Sequence, residues 1–233
     1  NYGNIIGSEG NDIILGGVSH NVGMAGGLGD DVLYGNPIDY LRYDLEEELT
    51  TEDIIGKTIN KINDHVKINL GNDDLSINDM LIDARTAEDM WDNTDTILGI
   101  ENAYGTTGND FIYGSANANE LYAGSGDDLI YGGSGSDILD GGEGSDIFVF
   151  LKSDFENANN DTDMIINFDV NEDKLSFDKL GINDIEIELI DNEGGADAVL
   201  SFNEKADWGS IILVDVGRLD TDDIMIDSGV TVG

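Results

Sequence analysis

The sequence predicts an all-β protein in which short parallel strands coil around a thin core, and three observations lead to this prediction. A nine-residue pattern, made of a Gly-rich loop, an Asp and a short apolar patch, occurs five times without a gap over residues 105–149. The same pattern occurs at residues 7–15 and 26–34. After residue 150 glycine becomes rarer, and apolar residues alternate with polar ones as in strands with one buried face.

The composition indicates a protein that binds cations. The formal net charge is −40 at pH 7, and such a chain repels itself unless positive charge condenses on it. The hydrophobic fraction of 39% argues against a wholly disordered chain. Only 10 residues are Lys or Arg, which argues against nucleic acid and anionic membranes as partners because both bind basic patches. We therefore expect multivalent cations.

The available ligand types favour a hard cation over a transition metal. The chain has no cysteine, so disulfides and thiolate sites are excluded. His20 and His65 lie far apart and outside any spacing such as HExxH, and we expect structural or surface roles for both. No apolar run reaches the length of a membrane span, so we expect no membrane insertion. Residue 1 is Asn within a repeat-like sequence, and we interpret the chain as a piece of a longer protein.

Four regions follow from the repeats. Residues 1–36 form a first repeat block, which ends before Pro37, the only proline. Residues 37–104 are expected to be a small α/β insertion with a strand near IDYLRYD, a helix near TTEDIIGKTINKI and a strand at HVKINLG. Residues 105–150 form the second block. Residues 151–233 are expected to be an antiparallel β cap, because five alternating segments lie there.

One repeat unit predicts both the loop and the strand. Glycines at its first, second and fourth positions permit a tight turn with positive φ and inward carbonyls, and the Asp at its sixth position adds a carboxylate. The middle residue of the strand should point to the core; in the second block these residues are Ile112, Leu121, Ile130, Leu139 and Phe148. A three-residue strand is not stable alone, so the units should coil two per turn, with stacked turns about 4.8 Å apart.

Stacked loops of this kind suit calcium. Calcium takes six to eight oxygens at roughly 2.3–2.6 Å, so an ion between two loops reaches carbonyls and carboxylates of both. The alternative is that the loops are surface turns of an ordinary sheet. We predict several Ca²⁺ ions, and the expected side-chain ligands are Asp12, Asp31, Asp110, Asn119, Asp128, Asp137 and Asp146. The expected loop glycines are Gly7, Gly10, Gly26, Gly29, Gly105, Gly108, Gly124, Gly126, Gly133, Gly135, Gly142 and Gly144.

The two-per-turn coil also predicts which loops share an ion. Asp110 should pair with the loop of Asp128, Asp128 with Asp146, Asn119 with Asp137, and Asp12 with Asp31. Asn119 is neutral, which predicts a weaker site. By the same spacing Tyr113 and Tyr131 should stack on one outer face, and Tyr104 and Tyr122 on the other. Such tyrosines support the strand ladder, or form a contact surface for a sugar or a neighbouring subunit.

The units GGSGSDILD and GGEGSDIFV resemble the RTX nonapeptide GGxGxDxUx, which implies a right-handed parallel β-roll that binds calcium. The segments DTDMIINFD and DKLSF resemble the region after the roll in serralysin-like proteins. That resemblance implies export through a type I secretion apparatus, a secreted or cell-surface location, and a closing ion held by Asp163, with Asp169 as a further candidate.

The function that these observations favour is not catalytic. The sequence contains no nucleophile elbow, phosphate loop or HExxH motif, and we interpret the acidic stretch EDMWDNTD as a solvated loop. We expect a calcium-binding module that folds, and self-associates, in a surface-layer, filament or adhesin protein, where it could also contact a carbohydrate or another cell-surface ligand. The alternative is a non-catalytic C-terminal module of a type I secreted hydrolase or epimerase.

Overall fold

A computed structural model gives the fold of the chain. It describes residues 3–8, 10–16, 22–37, 39–43, 65–72, 74–77, 80–89, 92–155, 161–178, 185–192, 195–202, 209–214, 216 and 224–226. Within these residues the regular secondary structure is almost entirely strand, with one short helix, α1, at Lys152–Phe155. The predicted all-β parallel β-roll is confirmed. None of the described helices is long and apolar enough to cross a membrane.

Two ten-stranded sheets form the walls of the roll. In spatial order the first sheet contains β1 (Gly3–Ile6), β3 (Val22–Ala25), β5 (Tyr40–Arg42), β11 (Asn102–Tyr104), β13 (Glu120–Ser125), β15 (Ile138–Glu143), β17 (Thr162–Ile166), β21 (Ser210–Leu213), β20 (Gly195–Phe202) and β19 (Ile185–Asn192). The second contains β2 (Ile13–Leu15), β4 (Val32–Tyr34), β10 (Thr94–Leu98), β9 (Thr86–Glu88), β6 (Lys67–Asn69), β12 (Phe111–Ser115), β14 (Leu129–Gly133), β16 (Ile147–Leu151), β18 (Lys174–Asp178) and β22 (Ile224–Ile226). A separate hairpin pairs β7 (Leu75–Ile77) with β8 (Met80–Ile82).

Consecutive repeat units alternate between the two sheets, as the coil requires. Strands β12, β14 and β16 lie in the second sheet, while β13 and β15 lie in the first. The parallel register places Ile112 beside Ile130 and Leu121 beside Leu139, an offset of two nine-residue units. The prediction of two units per turn is therefore confirmed.

The core is a double column of one apolar side chain per strand. The five middle residues predicted for the second block are between 0% and 2% exposed. Inner residues of both sheets join one cluster, in which Leu41 and Ala103 continue the column of the first sheet and Ile97 and Ile68 that of the second. Because each strand contributes so little apolar surface, the fold depends on stacking neighbours.

Strands from residues 37–104 join the two repeat blocks into one stack. In the first sheet β5 and β11 pair in parallel between β3 and β13. In the second sheet β10, β9 and β6 fill the space between β4 and β12, and β9 runs antiparallel to both neighbours. The helix expected near residues 50–62 lies outside the described residues. The division into four domains stays a prediction.

The C-terminal region differs from the expected antiparallel cap. Strands β17 and β21 extend the first sheet in parallel, and β18 and β22 do the same for the second. Among the described residues of this region, antiparallel pairing occurs only where β20 joins β21 and β19. Period-two alternation shows that one face of a strand is buried, but it carries no information about strand direction, so the sequence pattern could not separate the two arrangements.

Candidate metal sites

The loops depend on glycine at their second and fourth positions. In the last three loops Gly124, Gly126, Gly133, Gly135, Gly142 and Gly144 have φ between 96° and 131°, and in the first block Gly10, Gly27 and Gly29 also have positive φ. A side chain at Gly142 would collide with the carbonyl oxygen of Gly124 in the neighbouring turn. Only glycine permits both this backbone conformation and this approach. The stacked loops consequently face each other with backbone carbonyls.

Glycines at the first loop position have a different role. A Cβ atom at Gly7, Gly26 or Gly105 would meet a carboxylate oxygen of its own loop, on Asp12, Asp31 and Asp110 respectively. The remaining predicted glycine, Gly108, donates its N–H to Thr106 Oγ1, 3.1 Å away. All twelve predicted glycines thus lie in the loops, around the carboxylates.

The ladder residues are defined as each Asp or Asn that lies two positions before a residue of the core column. Many of them are linked from turn to turn by a hydrogen bond. In each of the four predicted pairs the backbone N–H of one ladder residue donates to the carboxylate Oδ1 of the next ladder residue in the same sheet. The N–O distances are 2.6 Å from Asp12 to Asp31, 2.7 Å from Asp110 to Asp128, 2.8 Å from Asn119 to Asp137 and 3.0 Å from Asp128 to Asp146. The structure therefore brings together the members of all four predicted pairs.

The ladder extends beyond the repeat blocks. Asp137 donates its N–H to Asp163 Oδ1, and Asp146 donates its N–H to Asp173 Oδ1, each over 3.0 Å. At the other end Asp31 donates to Asp95 Oδ1, also over 3.0 Å. Asp169 occupies no ladder position; its Oδ1 accepts the N–H of Asn171 at 2.8 Å.

Four ladder carboxylates keep one oxygen without any hydrogen bond. Among the described residues, the Oδ2 atoms of Asp31, Asp128, Asp137 and Asp146 are buried and have no partner. These four, which we call the orphan carboxylates, are at most 2% exposed. Burying an ionised carboxylate is costly unless a cation or hydrogen-bond donors compensate it. The orphan oxygens lie in loops that also contain backbone carbonyls, and they therefore fit a hard cation with oxygen ligands such as calcium.

Backbone carbonyls must complete any such site. Among the residues that the structure describes, no group of three or more Asp, Glu or His side chains converges as a metal cluster. The loops instead offer one carboxylate each together with main-chain oxygens. This donor set suits calcium, which accepts carbonyl ligands and irregular geometry, better than it suits zinc or magnesium.

Burial shifts the acidity of the orphan carboxylates. It raises the pKa of Asp128 and Asp137 to about 8 and that of Asp146 to about 6, and it also raises the pKa of Asp31. In contrast, a hydrogen bond from the backbone N–H of Ser8 lowers the pKa of Asp12. A proton and a cation therefore compete for the orphan carboxylates near neutral pH.

The acidic stretch EDMWDNTD is not a wholly solvated loop, so that expectation was wrong. Asp89 and Asp95 are 0% exposed. Asp89 Oδ1 accepts the N–H of Asn93 at 2.8 Å, and Asp95 Oδ2 accepts the hydroxyl of Tyr43 at 2.6 Å. Asp95 is a ladder residue because Ile97, two positions later, fills the core.

Sequence reasoning missed three ladder residues that lack a glycine loop, although a signal was present. Asp39, Asp95 and Asp173 each precede, by two positions, a fully buried aliphatic residue of the core column, namely Leu41, Ile97 and Leu175. This Asp-x-aliphatic spacing is the second half of the repeat unit. Searching for it without the glycines would have found all three.

The predicted tyrosine stacks are confirmed. The rings of Tyr113 and Tyr131 are 4.8 Å apart and 4° from parallel, and those of Tyr104 and Tyr122 are 4.6 Å apart and 12° from parallel. The Arg42 guanidinium lies 4.3 Å from the centre of the Tyr104 ring. These contacts follow the strand ladder on the outer faces. His20 lies outside the described residues.

The repeats match a known family. The sequence profile described as the RTX calcium-binding nonapeptide repeat matches residues 4–22, 24–37, 95–129 and 113–148. Both repeat blocks belong to the RTX calcium-binding repeat family. The matched segments cover less than half of the chain, and they include the loops of all four orphan carboxylates. The RTX blocks thus account for the glycine loops and their carboxylates.

Comparison with solved structures finds two proteins with partial similarity to this chain. The AlgE6R3 subunit of the Azotobacter vinelandii mannuronan C5-epimerase is 27% identical over 55% of this chain and 78% of that chain, with a TM-score of 0.45. The extracellular lipase LipA from Serratia marcescens is 18% identical over 97% of this chain and 40% of that chain, with a TM-score of 0.30. A comparison with curated protein sequences found no match.

Proposed function

We propose that this chain is the calcium-dependent folding module of a secreted or cell-surface protein. The observation that carries the proposal is the set of four orphan carboxylates, which are buried between stacked loops with one oxygen unpaired. Calcium bound there would supply the positive charge and oxygen coordination that these groups lack. Without an ion, four buried negative charges and a net charge of −40 oppose the compact roll.

We propose that calcium binding and folding are coupled in a single equilibrium. The unfolded chain has no stacked loops, so ions bind mainly to the folded state, and their binding free energy stabilises the fold. Extracellular calcium modules typically have dissociation constants of about 10⁻⁴–10⁻³ M. A chain with such sites remains unfolded in a calcium-poor cytosol and folds outside. This behaviour suits export of an unfolded chain through a type I apparatus.

A structural role in a surface layer, filament or adhesin is the larger context that we propose. It is supported by the edge strand β2, where Ile13 and Leu15 are 71% and 66% exposed. An edge strand with exposed apolar side chains is a surface on which another β-sheet can pair. We propose that this edge associates with a second copy of the chain once calcium has ordered it.

Sedimentation velocity together with far-ultraviolet circular dichroism tests both parts. Chelator-stripped protein is titrated with calcium from about 1 µM to about 10 mM, and with magnesium as the control ion. We expect an expanded chain that gains β structure with calcium but not with magnesium. Large assemblies would support the structural role, whereas a folded monomer would support the alternative module of a secreted enzyme. A stripped chain that is already fully folded contradicts the folding proposal.

A further inference from the structure

The ladder turns fall into two classes that differ at one sequence position. The distinguishing residue lies four positions before the ladder residue, which is the second position of the repeat unit. In one class it is not glycine, and its backbone N–H donates to the side chain of the ladder residue. The four N–H to oxygen pairs are Ser8 to Asp12 Oδ2 at 2.7 Å, Thr106 to Asp110 Oδ2 at 2.5 Å, Ser115 to Asn119 Oδ1 at 2.7 Å and Asp169 to Asp173 Oδ2 at 2.8 Å.

In the other class the same position is a glycine with positive φ. These residues are Gly27, Gly124, Gly133 and Gly142, with φ between 88° and 120°. They belong to the turns of Asp31, Asp128, Asp137 and Asp146, which are the four orphan carboxylates. Among the nine ladder turns with a described residue at this position, a glycine with positive φ is present in the four orphan turns and in none of the others. The ninth turn has Gly35 four positions before Asp39; Gly35 is not among the glycines with positive φ, and Asp39 Oδ2 accepts the N–H of Asn36 at 3.0 Å.

A conformational difference explains the correlation. Ser8, Thr106, Ser115 and Asp169 are not among the described non-glycine residues with positive φ. In these turns the chain curls so that a main-chain donor reaches the ladder side chain, and the hydroxyls of Ser8 and Thr106 add further bonds of 3.0 Å and 2.9 Å. In the glycine turns the left-handed conformation takes the donor away from the carboxylate. We call the first class the self-capped turns.

The consequence for metal binding is direct. In the self-capped turns of Asp110 and Asp173 both carboxylate oxygens accept donors, and in those of Asp12 and Asn119 one side-chain oxygen does. In each of these turns an N–H group, with its positive dipole end, occupies the space beside the ladder side chain. In a glycine turn the carboxylate oxygen is buried without a partner, and a carbonyl oxygen of the stacked loop lies against the glycine. Only the second environment lacks a positive partner.

We propose that the calcium ions of this chain bind at the turns of the four orphan carboxylates and that the self-capped turns fold without an ion. This inference rests on the proposed function, and it adds which turns bind and which do not. Asp12, Asp110 and Asn119, which the repeat pattern includes among the ligands, are then stacking residues. The backbone conformation at the second loop position, a left-handed glycine or not, decides between the two roles.

Two matched variants test the assignment. Asp128→Asn and Asp110→Asn remove one charge each from ladder residues that are 2% and 1% exposed, and Asn119 shows that a self-capped turn accommodates asparagine. Bound calcium is counted by equilibrium dialysis with radioactive calcium at saturation, and circular dichroism confirms that each variant is folded. We expect Asp128→Asn to bind one ion fewer than the parent chain and Asp110→Asn to bind the same number. Equal loss in both variants, or loss in neither, overturns the assignment.

A gain of binding provides a test that misfolding cannot imitate. Thr106→Gly removes the hydroxyl and permits the left-handed conformation, so the Asp110 turn should acquire one additional ion. A folded Thr106→Gly chain with an unchanged ion count contradicts the proposal, and so does a variant that no longer folds at saturating calcium. Failure of the proposed function would look different, because the parent chain itself would then neither bind calcium nor respond to it.

Discussion

Truncation of one core residue should weaken calcium binding at loops that it does not touch. Leu139 is 0% exposed and lies in the column between Leu121 and Ile165. Replacing a buried leucine by alanine typically costs about 2–5 kcal/mol of folding free energy. If folding and the binding of four ions are one equilibrium, this cost is divided among four ions. The calcium midpoint should then rise by roughly two- to eightfold, since RT is about 0.6 kcal/mol.

The assay is a calcium titration of Leu139→Ala followed by far-ultraviolet circular dichroism. Leu15→Ala, measured at a protein concentration at which sedimentation shows only monomer, is the matched control, because the same atoms are removed from a side chain that is 66% exposed. We expect its midpoint to stay within experimental error of the parent midpoint, as surface substitutions rarely exceed about 0.5 kcal/mol. An unchanged midpoint for Leu139→Ala would refute the coupling between folding and binding, and so would an equal shift in both variants.

Three further predictions concern the loops and their carboxylates. Gly142→Ala should lower the melting temperature in calcium more than Gly10→Ala does. Both residues have positive φ, but only Gly142 faces a carbonyl oxygen within contact distance. Equal shifts in melting temperature would exclude a steric contribution from this carbonyl. Tyr43→Phe should lower the free energy of unfolding, measured in urea, by about 1–3 kcal/mol, because Asp95 loses a buried hydrogen-bond donor. Tyr34→Phe, at a residue that is 46% exposed, should leave it almost unchanged. Similar losses in both variants would contradict this account. Burial raises the pKa of two orphan carboxylates, Asp128 and Asp137, to about 8. Because the folded chain binds these protons more tightly than the unfolded chain, their protonation stabilises the calcium-free fold fully below about pH 4, and this stabilisation is lost as the pH rises towards 8. Circular dichroism in chelator should therefore show more β structure at pH 5 than at pH 8, and the reverse order would contradict the sign.

The repeat blocks were predictable because one unit encodes a loop, a ladder residue and a core residue at fixed positions. Residues such as Ile130 and Leu139 could be assigned to the core from register alone, and the stacking of Tyr113 on Tyr131 followed from the same spacing. The coil of two units per turn also followed, since a three-residue strand buries too little surface to be stable alone.

The rest of the fold depends on strand directions, long-range contacts and backbone conformations that the residue pattern does not encode. The direction of β9 is set by its two neighbours, because alternation alone permits either pairing. The burial of Asp95 depends on the hydroxyl of Tyr43, which is distant in sequence. The separation of paired from orphan carboxylates depends on the backbone conformation four residues earlier, so that Asp110 and Asp128 look alike as ligands in the sequence and differ in the structure.

The reversed strand β9 divides the carboxylates of the second sheet into two columns of charge. Asp31 precedes β4, whereas Asp128 precedes β14, and these strands are five strand spacings apart, about 24 Å. This separation is about three times the Debye length of about 8 Å at physiological salt, whereas neighbouring strands within one column are about 4.8 Å apart. Electrostatic coupling between ions is therefore much weaker across the two columns than within one column. A mechanical route also links the columns, through the shared apolar column and the uninterrupted parallel pairing of the first sheet.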